Sequence, residues 1–137
     1  MKTISLELSK RLWHKGDRKL SSTQWVKIDG KWGLEHLIDD EADGVNVFAL
    51  DRSLIDEEYP AYTLDELWAM LPDVINDEYY KNLTNYCCCY ENDPDDYDAD
   101  IEELHRVVIN HNPTEAAGLM LEWLLDNKYK INGGDND

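Results

Sequence analysis

NLTNYCCCYENDPDDYDADIEELHRVVINHNPTEAAGLMLEWLLDNKYK, residues 82–130, decides the fold class. Residues 82–91 have strand composition, with Tyr86, Tyr90 and three consecutive cysteines. HRVVI, residues 105–109, is β-branched and is expected to pair with that strand across the acidic segment; IEELHRVV also has a helical reading. The helix that follows has a complete start signal. Asn112 can cap it, Pro113 takes the first helical position, and Glu115 completes a capping box. Ala117, Met120, Leu121 and Leu124 form a core stripe that Trp123 and Leu125 widen. Lys128 and Lys130 fall at or beyond its end. Strands followed by an amphipathic helix bury one sheet face under that helix, which is an α+β arrangement.

Upstream, Thr63-Leu64-Asp65-Glu66 reads as a capping box, and Leu64, Leu67, Trp68 and Leu71 give a helical stripe ended by Pro72. Residues 73–82 are ambiguous. Asp29-Gly30 supplies the positive φ values of a type I′ turn, so a hairpin is expected with strands near 24–28 and 31–37. VNVFAL, residues 45–50, is a third short strand, reached through an acidic turn over residues 39–44, and Tyr59-Pro60 ends a loop. At the start, Ile4, Leu8 and Leu12 mark a helix over residues 5–16 that Gly16 stops. The expected fold is α+β: a small antiparallel sheet with about three helices packed on it. One domain is expected over residues 1–131, with a flexible tail over 132–137, and no internal repeat is found.

The length of 137 residues permits a core that buries about two-thirds of the unfolded surface. Apolar residues make up 42%, which excludes wholesale disorder. Apolar runs are too short for a membrane span, and MKTISLELSKRL lacks a secretory apolar core. With three free thiols, this points to a reducing cytoplasm. The informative quantity is charge. The formal net charge is −17, but residues 1–34 carry eight basic and three acidic groups, while residues 35–137 carry 27 acids and five bases. The acidic part would repel phosphates, so its natural complement is a basic protein surface and not nucleic acid. ENDPDDYDADIEE, residues 91–103, is the densest stretch, with eight acids and no base. Extended, it places about one charge per 5 Å, within a factor of two of the roughly 3.4 Å phosphate rise along a DNA strand. A solvated loop would carry the same composition.

The other motifs are structural or incomplete. Cys87, Cys88 and Cys89 contain no CxxC pair and read as core residues. Glu102-x-x-His105 has a dimetal-bundle spacing without its second copy. An EF-hand register starting at Asp96 fails at Ile101 and Val107, where Gly and Glu are required. Gly30-Lys31-Trp32-Gly33 matches a KH-type GXXG but follows a hairpin turn. Walker, nucleophile-elbow and Rossmann signatures are absent. No catalytic residue, metal ligand or cofactor is therefore assigned from the sequence, and the oligomeric state is left open.

LELSKRL, YPAYTLDELWAMLP and NPTEAAGLMLEWLL resemble elements of small acidic proteins of phages and prophages. Those proteins have a leading helix, a Trp-containing hairpin, a TLDEL-type central helix and a closing helix after an NPTEA-type cap. The class includes anti-CRISPR and anti-restriction inhibitors, some of which mimic DNA. The resemblance implies a non-enzymatic inhibitor, acting in the host bacterial cytoplasm, that occupies the basic nucleic-acid-binding groove of a host defence nuclease. The basic N-terminal part departs from a uniformly acidic mimic and favours a single acidic face. The expected partner-binding residues are Asp93, Asp95, Asp96, Tyr97, Asp98, Asp100, Glu102 and Glu103, with Asp39, Asp40, Glu41, Asp56, Glu57 and Glu58. Two other readings stand beside it: a metal-dependent enzyme using the acidic run and His105, and a small oligomeric accessory or structural protein.

Overall fold

The computed structural model describes residues 2–16, 21–36, 38–40, 45–47, 52–92 and 102–132. Contacts divide the chain into two compact units, Met1–Thr63 and Leu64–Asp137. The α+β class read from the sequence is the observed one, and every strand pair is antiparallel. No helix among the described residues is long and apolar enough to cross a membrane.

In the first unit, Asp29 and Gly30 take φ values of 51° and 78° and turn β1 (Thr23–Ile28) back into β2 (Lys31–His36). Gly30 and Gly33 thus belong to a hairpin, not to a KH loop. α1 (Leu6–His14) starts at Ser5, whose hydroxyl accepts from the Leu8 amide at 3.3 Å, and stops at Gly16, with φ 99°. Its stripe of Ile4, Leu8 and Leu12 is fully buried. β3 (Ile38–Asp40) and β4 (Val45–Val47) form a ladder of their own. Asp39 and Asp40, expected in a turn, lie in β3; residues 41–44 and 48–50 fall outside the described residues. A short 3₁₀ turn, Arg52–Leu54, leads to β5 (Glu57–Pro60), which completes a β2-β1-β5 sheet. Tyr59-Pro60 is therefore an edge strand, not a loop end. Pro60 is its last residue, where the missing N–H costs little pairing. Alternation puts Trp25, Lys27, Trp32 and Tyr59 on one face, where Trp13 of α1 meets Tyr59 at 6.4 Å. Lys10 and Lys27 lie over the Trp32 ring at 4.9 and 5.9 Å, so part of the N-terminal positive charge is spent on an aromatic face.

The second unit holds α2 (Leu64–Met70), β6 (Val74–Ile75), β7 (Tyr79–Leu83), β8 (Cys87–Asn92), β9 (Glu103–Val108) and α3 (Pro113–Asp126). The strands run in the order β6-β7-β8-β9. The ambiguous segment is a hairpin turned by Asn76 and Asp77, at φ 56° and 57°. Residues 105–109 do pair with the cysteine strand, as β9, which resolves the helical alternative. The Asn112 side chain accepts from the Glu115 amide at 3.1 Å, and Pro113 opens α3. Ala116, Ala117 and Gly118 let this helix approach closely, and it packs on β8, β9 and α2.

α2 has only seven residues, too few to persist alone. Lys81 of β7 and Asn132 secure its C-terminal end. The Lys81 ammonium donates to the Trp68 and Leu71 carbonyls at 2.7 and 2.9 Å and lies 4.4 Å from the Trp68 ring centroid. Asn132, the first residue of the expected tail, donates its side-chain amide to Ala69 and Leu71 and its backbone amide to Met70. Residues 133–137 lie outside the described residues. The Lys81 side chain is 10% exposed, whereas its ion-pair partner Asp73, 3.1 Å away, is 88% exposed, so the carbonyl bonds matter more than the pair. Lys81→Met keeps the aliphatic stem, orphans the Trp68 carbonyl and leaves the Leu71 carbonyl to Asn132 alone. It is expected to cost about 2–3 kcal/mol in urea unfolding, and Asp73→Asn well under about 1 kcal/mol.

Candidate functional site

Alternation along β8 separates two environments. Cys88 and Tyr90 face the helices. Cys88 is fully buried, which pushes its thiol up to about 12, and the Tyr90 hydroxyl donates to the Pro72 carbonyl at 2.7 Å. Cys87 and Cys89 point to the opposite face, which carries half-exposed Tyr80 and Val108. Three cross-strand rows make up this outer face: Val74, Tyr80, Glu91 and Glu103; then Asn82, Cys89 and Arg106; then Cys87 and Val108.

A bulge sets the chemistry of the first row. The pairing steps from Tyr90↔His105 to Glu91↔Glu103, leaving Leu104 as the extra residue. In an unbroken strand Glu103 would share the face of His105. With the bulge, Glu103 joins Glu91, and His105 turns toward α3, where it stacks on Trp123 with centroids 4.2 Å apart and planes 2° from parallel.

The outer-face groups form one polar network. Arg106 donates through Nε to Glu103 Oε2, reaches Cys87 Sγ through Nη1 at 3.6 Å, and holds Nη2 4.0 Å from Glu91 Oε2. The Asn82 amide donates to Glu91 Oε1 at 3.1 Å. Beneath them lies Cys89, 1% exposed. Its sulfur and one oxygen each of Glu91 and Glu103 lie within 4.8 Å of one another. Burial, reinforced by Glu91, pushes the Cys89 thiol up to about 11, with Arg106 opposing. A shallow depression of about 290 Å³, lined by Tyr80, Lys81, Asn82, Glu91 and Asn92, opens beside Glu91.

Where β8 and β9 run into the acidic segment, Asn92 and Glu102 are clamped. The Asn92 amide donates to the Glu102 carbonyl at 2.9 Å, and the Glu102 amide to Asn92 Oδ1 at 2.8 Å. Of the residues expected at the partner surface, Glu102 and Glu103 are exposed at this neck. Asp93, Asp95, Asp96, Tyr97, Asp98, Asp100 and Glu41 lie outside the described residues. Asp56 and Glu57 are exposed and Glu58 half-buried at the start of β5, and Asp39 and Asp40 lie in β3; all five belong to the first unit. The structure does not bring His105 to Glu91 and Glu103, because the sheet separates them. Sequence reasoning passed over Cys89, Arg106 and Asn82. The available signal was Cys89-x-Glu91, two same-face positions on a strand. Glu103 carried none, since its facing depends on the bulge.

Burial lowers the basicity of His105. A folded-state value below the unfolded one, about 6.5, makes its stabilising contribution complete above that pH and lost as pH falls through 6.5 toward the folded value. Wild type is therefore expected to lose more stability between pH 7.5 and 5 than His105→Phe. Thermal unfolding of both proteins across that range checks it; parallel profiles would remove the role assigned to imidazole burial.

No family model, characterised protein or solved structure matches the chain.

Proposed function

We propose that the chain is a non-enzymatic protein-binding inhibitor whose carboxylates occupy a basic nucleic-acid-binding groove of its partner. The observation that carries this reading is the clamped neck at Asn92 and Glu102. Through it, the two ends of a thirteen-residue stretch with eight acids are held side by side at the edge of a packed sheet. Joined ends lower the entropy lost when such a segment meets a partner. The adjoining outer face supplies exposed Tyr80 and further carboxylates, and tyrosine adds contact area at low entropic cost. The resemblance to small phage proteins makes a host defence nuclease the expected owner of the groove. Competition follows from charge: carboxylates take the positions of phosphates.

The test compares wild type with the Asp95→Lys, Asp96→Lys, Asp98→Lys triple variant as bait in a bacterial lysate at low and high salt. Wild type is expected to capture a nucleic-acid-binding enzyme, release it as salt shortens the Debye length from about 10 Å at 0.1 M to about 3 Å at 1 M, and block its nucleic-acid binding after purification. The triple variant is expected to capture none. Equal capture by both proteins, or a partner that still binds nucleic acid when saturated, rejects the reading. A salt-sensitive rise in the mass of the purified chain, with no partner, would favour the oligomeric accessory protein instead.

A further inference from the structure

We propose that Cys89, Glu91 and Glu103 form a binding site for a thiophilic divalent cation of the zinc class on the outer face of the second unit's sheet. The inference is independent of the partner reading above.

The donors come from two strands brought into register by the bulge at Leu104, and their ligating atoms already lie within 4.8 Å of one another. Ligands on one tetrahedral zinc, at bond lengths of about 2.0–2.3 Å, sit about 3.5 Å apart, so closure needs about 1 Å of side-chain movement. Glu103 is exposed and can supply it on leaving Arg106. One sulfur with two carboxylate oxygens suits zinc better than calcium or magnesium, which take oxygen alone.

Cys89 gives the second, separate argument. It is 1% exposed, its sulfur lies within 4.8 Å of an oxygen of each glutamate, and that sulfur makes no hydrogen bond among the described residues. A core thiol is ordinarily surrounded by apolar groups; this one lies under two carboxylates. Binding exchanges the thiol proton for the metal.

Arg106 is the competitor. Its guanidinium binds Glu103, lies 4.0 Å from Glu91 Oε2 and so neutralises the pair without metal. Its side chain is 45% exposed and can withdraw to solvent when a divalent ion enters. Metal and guanidinium therefore share the carboxylates in exchange, and removing the arginine charge strengthens the metal.

Cobalt(II) tests this with the whole chain, because cobalt bound to a thiolate absorbs in the near ultraviolet. Reduced wild type titrated with cobalt at pH 7.5 is expected to develop a sulfur-to-cobalt band that zinc abolishes by displacement. Cys89→Ser is expected to lose the band and Cys88→Ala to keep it. Glu103→Gln, an exposed change that should leave folding intact, is expected to weaken binding at least about tenfold, as even outer-shell losses do. Arg106→Gln is expected to tighten it. Absence of the band at millimolar cobalt, a band that survives Cys89→Ser, or unchanged affinity in Glu103→Gln overturns the site. A band lost only in Cys87→Ser would move the ligand to that neighbour and equally overturn it.

Discussion

The C-terminal end of α2 is the constraint on which the second unit depends. A seven-residue helix presents several carbonyls that no further turn can satisfy, and here four successive ones, from Trp68 to Leu71, find donors. The donors come from distant points of the chain: Lys81 from the sheet and Asn132 from beyond α3. Helix, sheet and chain end are thereby tied at one place. A buried ammonium is tolerable there because it donates to carbonyls and lies over an indole ring, while its carboxylate partner sits in water.

From that anchored side the sheet divides the chemistry of the unit in two. Apart from the Lys81 ammonium, the inner face collects groups kept neutral by burial: Cys88, Tyr90 and, against Trp123, His105. The outer face collects carboxylates, an arginine and two further thiols. One extra residue in β9 maintains the division. Were Leu104 paired in register and not bulged, Glu103 would share the face of His105, toward α3, and the outer-face network would lose one of its acceptors.

The features legible in the sequence were those written in local chemistry. Asp29-Gly30, Gly16 and the Asn112-Pro113 start specify backbone geometry by residue type, and the structure has each in place. Asn76-Asp77 makes a left-handed turn without glycine, so β6 and β7 gave no clear period. Pro60 argued against a strand and is admitted because β5 ends there on an edge. Three adjacent cysteines were legible as core, but not the difference between them: Cys88 under the helices, Cys89 under two glutamates. That difference depends on which strand pairs with which and on where the register slips, and both are tertiary facts. The candidate site was less legible than the fold for the same reason.

The clamp between Asn92 and Glu102 also bears on the register of the strands it joins. The two strands are closed at the neck by their own backbone and by one asparagine side chain. The clamp thus places the register of the β8–β9 neck in Asn92 and the backbone beside it, so a change at Asn92 is expected to let the two strands slip.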